Sequence, residues 1–129
     1  MALKITLKPQ ERMILGGAVV TNGHSKCELI VENNVPVLRE RDILGADEAH
    51  TPCRRIYLVI QLMYVDEQNL KEHHNSYWRL VRDVISAAPS MSERLGRISE
   101  EILRKNFYQA LKLAKELIDY EQEVVSHAC

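Results

Sequence analysis

A chain of 129 residues has the length of one ordinary domain, enough to bury a core but too short for two independent ones, so a single folding unit over 1–129 is expected. Lys and Arg number 17 against 18 Asp and Glu, and a formal net charge of -1 provides no whole-molecule field to draw the protein onto DNA, RNA or an anionic membrane. Any anion site must therefore be a local patch, and the cysteines Cys27, Cys53 and Cys129, with no C-x-x-C spacing, suit reduced thiols in a cytosol better than a disulfide framework or a zinc site.

From Leu3 to about Leu44 the pattern predicts short strands cut by turn signals. Lys4 to Leu7 precedes Pro9, Arg12 to Leu15 runs into Gly16-Gly17, and Ala18 to Thr21 runs into Asn22-Gly23, a strong type I′ hairpin signal. Cys27 to Val31 ends at Asn33-Asn34, and Val35 to Leu38 resumes an extended run in which Pro36 favours an edge position. Four or five strands joined by tight turns predict an antiparallel meander over 1–50 that needs the rest of the chain, or a second copy, to pack against.

The period changes at Thr51-Pro52, an N-cap followed by a proline at the first helical position. A bundle of three or four helices over 51–129 is predicted, giving an α+β fold. The first helix, with Ile56, Val59, Ile60 and Met63 on one face and Leu58, Leu62 and Val65 on the other, reads as the buried central one. The longest apolar stretch, Ile56 to Val65, is interrupted by Gln61 and too short to cross a bilayer, and the N-terminus lacks the pattern of a signal peptide, so a cytoplasmic protein without membrane contact is expected. After a cap at Asp66, the stripe Leu70, His74, Tyr77, Val81, Val84, Ile85 and Ala88 runs to Pro89. Ser90 and Glu93 match a capping box opening a helix with Met91, Leu95, Ile98 and Ile102 inward. The last helix carries a stripe from Phe107 through Ala110, Leu111, Ala114, Leu117 and Ile118 to Val124, wide enough to face a partner as well as its own core.

Motifs for phosphate loops, dinucleotide folds and nucleophile elbows are absent, so neither an enzyme nor a cofactor is expected. His73-His74 lacks the i, i+4 partner that a helical metal site needs, and nothing in the spacing of His50 and Cys53 argues for a nucleophile and base. What remains is a set of basic residues at element edges: Lys4, Lys8 and Arg12, then Arg39 and Arg41, then Arg54 and Arg55. Arginine suits phosphate and base recognition through its planar fork. Glu11, Glu40, Asp42, Asp47 and Glu48 lie close in sequence, however, so internal salt bridges are the leading reading and a nucleic-acid patch the next.

The run Thr51-Pro52-Cys53-Arg54-Arg55-Ile56-Tyr57, continued by Gln61-Leu62-Met63-Tyr64, resembles the signature of the FlbT family of flagellar biosynthesis regulators. Leu3 to Arg12, Gly17 to Val20, Val37 to Leu44 and Phe107 to Lys112 fit the same family, so the resemblance covers essentially the whole chain. It implies a bacterial cytoplasmic regulator that associates with the 5′ untranslated region of flagellin messenger RNA, repressing translation and promoting message decay in some members and acting positively in others. FlaF, a counteracting regulator, and flagellin are the protein partners it implies. The first half alone is also similar to the CsrA translational regulators, small β dimers that bind GGA-containing loops in messenger leaders. That likeness implies a dimer and an RNA surface of Thr6, Leu7 and Lys8 on the first strand with Arg39 after the last, although Leu7-Lys8 stands where CsrA proteins carry two basic residues and Arg41 is inserted before Asp42; Lys4 and Arg41 are expected to widen the patch. A protein-interaction adaptor docking through the last helix is the competing expectation.

Overall fold

The computed structural model describes residues 2–128, and of residues 126–128 the backbone alone. Five strands precede four helices, the α+β order expected: β1 (Leu3–Leu7), β2 (Arg12–Leu15), β3 (Ala18–Thr21), β4 (Cys27–Val31) and β5 (Val37–Arg39), then α1 (Pro52–Val65), α2 (Leu70–Ala87), α3 (Ser92–Leu103) and α4 (Phe107–Ala128). Close contacts group the chain into two compact units, Met1–Ile43 and Leu44–Cys129.

In the first unit the strands do not pair in sequence order as a meander would. β1 pairs antiparallel with β4, and β2 lies between β3 and β5, so the sheets read β1-β4 and β3-β2-β5. The reason lies in the turns. Gly16-Gly17 closes the β2–β3 hairpin with positive φ at Gly16 only (61°), the pattern of a type II′ turn. Asn22-Gly23 forms no type I′ hairpin, because neither residue has positive φ. Instead the Asn22 side-chain amide donates to the carbonyls of Leu7 (3.3 Å), Lys8 (2.8 Å) and Ser25 (3.0 Å), which ties the loop after β3 to the end of β1 and sends β4 alongside β1. Alternation along the strands puts Ile5, Leu7 and Met13 into a small core completed by Leu15, Cys27, Leu29, Val31 and Val37.

In the second unit α1 packs on α2 and α4, and α3 on α4. Thr51 caps α1 by accepting the Arg54 N–H at 3.2 Å, with Pro52 in the first turn. Ile56, Ile60 and Met63 are fully buried, as the central position of α1 requires. Asp66 terminates α1, and its carboxylate then accepts from Asn69 (3.0 Å) and pairs with His73 (3.1 Å), so His73 has a carboxylate partner. The Ser90–Glu93 capping box does not form: a 3-10 turn over Pro89–Met91 precedes α3, Ser92 back-bonds to Pro89, and Glu93 pairs with Arg97 one turn on. α3 ends in a Schellman arrangement, Lys105 N–H to Ile102 and Asn106 N–H to Glu101, with Lys105 at φ 65° where glycine is usual. The stripe of α4 is narrower at the surface than its sequence suggests, since Ala110, Leu111, Ala114 and Leu117 are all consumed by the unit's own core.

Candidate nucleic-acid interface

The first turn organises the site. Residues Lys8-Pro9-Gln10-Glu11 make a β-turn closed by the Glu11 N–H on the Lys8 carbonyl at 3.1 Å. Proline in the second position and positive φ (65°) at Gln10 in the third give it type II form, although glycine is the residue that takes this conformation without strain. Two further contacts hold it: the Lys8 N–H donates to Glu11 Oε1 at 2.9 Å, and the Gln10 N–H to the Gly23 carbonyl at 3.0 Å. That last bond, with the two from Asn22 to Leu7 and Lys8, docks the 22–26 loop on the turn and brings Lys26 to it.

Arg39 arrives from the other side. It ends β5, opposite Met13 of β2, and its guanidinium donates to the Thr6 carbonyl at 2.9 Å and to Glu11 Oε2 at 3.2 Å. Its Nε is buried without a partner. Between these elements lies an open cleft of about 740 Å³ lined by Thr6, Lys8, Gln10, Lys26, Arg39 and Arg41, with Pro9 and the carboxylates Glu11 and Glu40. Lys8 and Lys26 make no ion pair among the described residues, Arg41 is exposed beside Asp42 (3.8 Å), and Arg12 pairs with Glu40 at 3.8 Å. The carboxyl of Glu11 is held below its ordinary value, first by the hydrogen bond from the Lys8 backbone and then by Arg39.

Of the six residues expected to form an RNA surface, four converge here: Thr6, Lys8, Arg39 and Arg41. Lys4 lies away from the cleft and pairs with Glu28 on β4 at 3.4 Å. Leu7 is corrected to a core residue, with 1% of its surface exposed, because period-two alternation turns it inward with Ile5 while Lys4, Thr6 and Lys8 stay out. Lys26 is the residue that sequence reasoning missed. The signal that could have found it is Asn22, had its side chain been read as a loop staple rather than a hairpin turn.

Over residues 3–125 the chain matches the sequence profile of the family described as "Flagellar protein FlbT". The chain belongs to the FlbT family. It is 44% identical to the "Probable flagellum biosynthesis repressor protein FlbT 1" of Bradyrhizobium diazoefficiens over 125 residues, which is 96% of this chain and 85% of that protein. Identity is 37% to the "Probable flagellum biosynthesis repressor protein FlbT" of Rhodopseudomonas palustris, covering 98% and 99% of the two chains. It is 35% to the "Flagellum biosynthesis repressor protein FlbT" of Caulobacter vibrioides, covering 98% and 92%. No solved structure matches.

The run from Thr51 to Tyr64 around α1 serves the fold. Thr51 and Pro52 start the helix, and Arg54 reaches Thr51 Oγ1 (3.4 Å) and Gln122 (3.3 Å). Tyr57 is buried, and Tyr64 tilts against Tyr108 with ring centres 6.0 Å apart. Buried Gln61 accepts the Leu44 N–H at 2.8 Å and donates to the Leu44 carbonyl at 3.0 Å, pinning the chain that enters the unit. Among the described residues neither Arg54 nor Arg55 pairs with Asp47 or Glu48; at the start of α1 it is Glu121 of α4 that accepts the Cys53 N–H, at 3.1 Å. Arg55 is exposed and makes no ion pair among the described residues. Burial, with the charge of Glu121, pushes the Cys53 thiol up to about 12, which suits a structural thiol and not a nucleophile. Cys129 lies outside the described residues. Among the described residues no helix is long and apolar enough to cross a membrane, and no three His, Cys, Asp or Glu are grouped to hold a metal ion.

Proposed function

We propose that this FlbT-family protein is a cytoplasmic, non-enzymatic repressor of flagellin synthesis that associates with the 5′ untranslated region of flagellin messenger RNA through the cleft at the first turn. The observation that carries the reading is the convergence of Lys8, Lys26, Arg39 and Arg41, from three separate segments, on one open cleft, with the Arg39 Nε left without an acceptor. Four cations around a cleft suit the phosphates of a single-stranded loop, and the net charge of the whole chain is immaterial to so local a contact. Repression is supported by the names of the relatives, flagellum biosynthesis repressors, and occlusion of the leader would keep ribosomes from it. Two copies joining through β-strand edges is part of the same reading, since among the described residues the β1-β4 sheet has no third strand on either side.

An adaptor role towards FlaF or flagellin through α4 has less to stand on, because the apolar stripe it required is buried in the helical unit and of its far end Val124 and Val125 are exposed. The test is a salt titration of leader binding by fluorescence anisotropy with the double variant Lys8→Ala, Lys26→Ala. Loss of two phosphate contacts on a single strand is expected to reduce the slope of log affinity against log salt by about 1.4. An unchanged slope with an intact fold would remove the cleft from RNA binding.

A further inference from the structure

A second site lies in the helical unit and does not depend on the RNA reading. A cavity of about 190 Å³ opens between the start of α1, the second half of α2 and α4. Leu80, Val84, Ala88 and Met91 give it an apolar wall, and Glu121, Asp83 and Arg55 supply its charges. Glu121 is 8% exposed: Oε2 accepts the Cys53 N–H at 3.1 Å and the Cys53 thiol lies against the same carboxylate, while Oε1 is buried with no hydrogen-bond partner.

A buried carboxylate oxygen without a donor is costly, so the arrangement asks for one. The cavity, several times the roughly 30 Å³ share of a water molecule, has room for a larger group that carries a donor, and much of its wall is apolar. Arg55, the one cation among the lining residues, pairs with neither carboxylate. The complementary group is a methylene chain ending in a positive charge, the stem lying along Leu80, Val84 and Met91 and the head meeting Glu121 with Asp83 nearby. We propose that this cavity binds an alkylammonium group, supplied either by a lysine side chain of a partner protein or by a free aliphatic amine.

The test uses the full-length protein with n-butylammonium as probe and n-butanol as its neutral counterpart, read by NMR on the methyl groups of Met91 and Val84. Saturable shifts are expected with the amine, at an affinity at least about tenfold above the alcohol. Glu121→Gln, which keeps an acceptor for Cys53, is expected to bring the amine down to the level of the alcohol. Because Glu121 also caps α1, Asp83→Asn serves as the second variant, with a loss of about twofold to fivefold, and Arg55→Ala, which removes a like charge, is expected to tighten binding. Equal response to amine and alcohol, or amine binding indifferent to both Glu121→Gln and Asp83→Asn, would overturn the proposal. With the site established, N-acetyl-lysine methylamide against cadaverine assigns the source: the tighter of the two names it.

Discussion

Glu11→Gln separates a binding surface from a mere structural ion pair. The carboxylate sits 3.2 Å from Arg39 and lines the cleft with four cations and one other carboxylate, Glu40, so it competes directly with any phosphate for Arg39. Glutamine retains an acceptor for the Lys8 N–H, and the first turn should persist. The substitution removes one negative charge from the lining. At physiological salt the leader is expected to bind about threefold more tightly, the scale of one unit charge acting through a few ångströms of water, and the gain should grow as salt is lowered. Anisotropy titrations at two salt concentrations, with circular dichroism to monitor the fold, measure it. Stability should respond oppositely. The folded carboxyl of Glu11 titrates below the ordinary 4.5, through the Lys8 N–H and then Arg39, so its stabilisation is complete above the unfolded value and is lost as pH falls through the folded one. Between about pH 6 and about pH 3 the unfolding midpoint of the wild type should therefore drop further than that of the variant. Unchanged or weaker leader binding by a folded Glu11→Gln protein would refute the view that Arg39 is shared between Glu11 and RNA.

Three further outcomes follow from the geometry. Gln10→Val, a β-branched residue at a φ of 65°, should destabilise the strand unit by about 1–2 kcal/mol in urea denaturation, whereas Gln10→Gly should leave it as stable or more so. Cys53, fully buried and with its thiol raised to about 12, should resist iodoacetamide in the native protein while half-buried Cys27 is modified, as site-resolved mass spectrometry will show. Ile60→Ala, at a position of α1 with no exposed surface, should cost the helical unit about 2–5 kcal/mol, read as a lower midpoint in helix-monitored denaturation.

What the sequence made legible were the features set by short-range periodicity. Ile5 and Leu7 alternate with Lys4, Thr6 and Lys8, and that alternation alone places Leu7 in the core, against its assignment by family likeness. Thr51-Pro52 announces the start of α1 because a cap and a proline act within one turn. Strand order was not legible, because Asn-Gly carries two meanings: a type I′ turn, or a side chain that fastens a loop to a distant carbonyl, as Asn22 does to Lys8. The position of Lys26 depends on that choice and so stayed hidden with it. Glu121 as the acidic group at the start of α1 was equally out of reach, since 68 residues separate it from Cys53 and only the packing of α4 on α1 joins them. The cleft itself was half visible: its basic residues stand in the sequence, but so do the acids, and which cations remain unpaired is a matter of tertiary distance.

The most direct measurement of the central claim is the affinity of the purified full-length protein for a flagellin messenger leader against a scrambled RNA of the same length, at physiological salt. Preferential binding of the leader, reduced in the Lys8→Ala, Lys26→Ala protein, is the predicted result. Equal affinity for both RNAs, or binding that disappears on moving from low to physiological salt, would contradict direct recognition of the message.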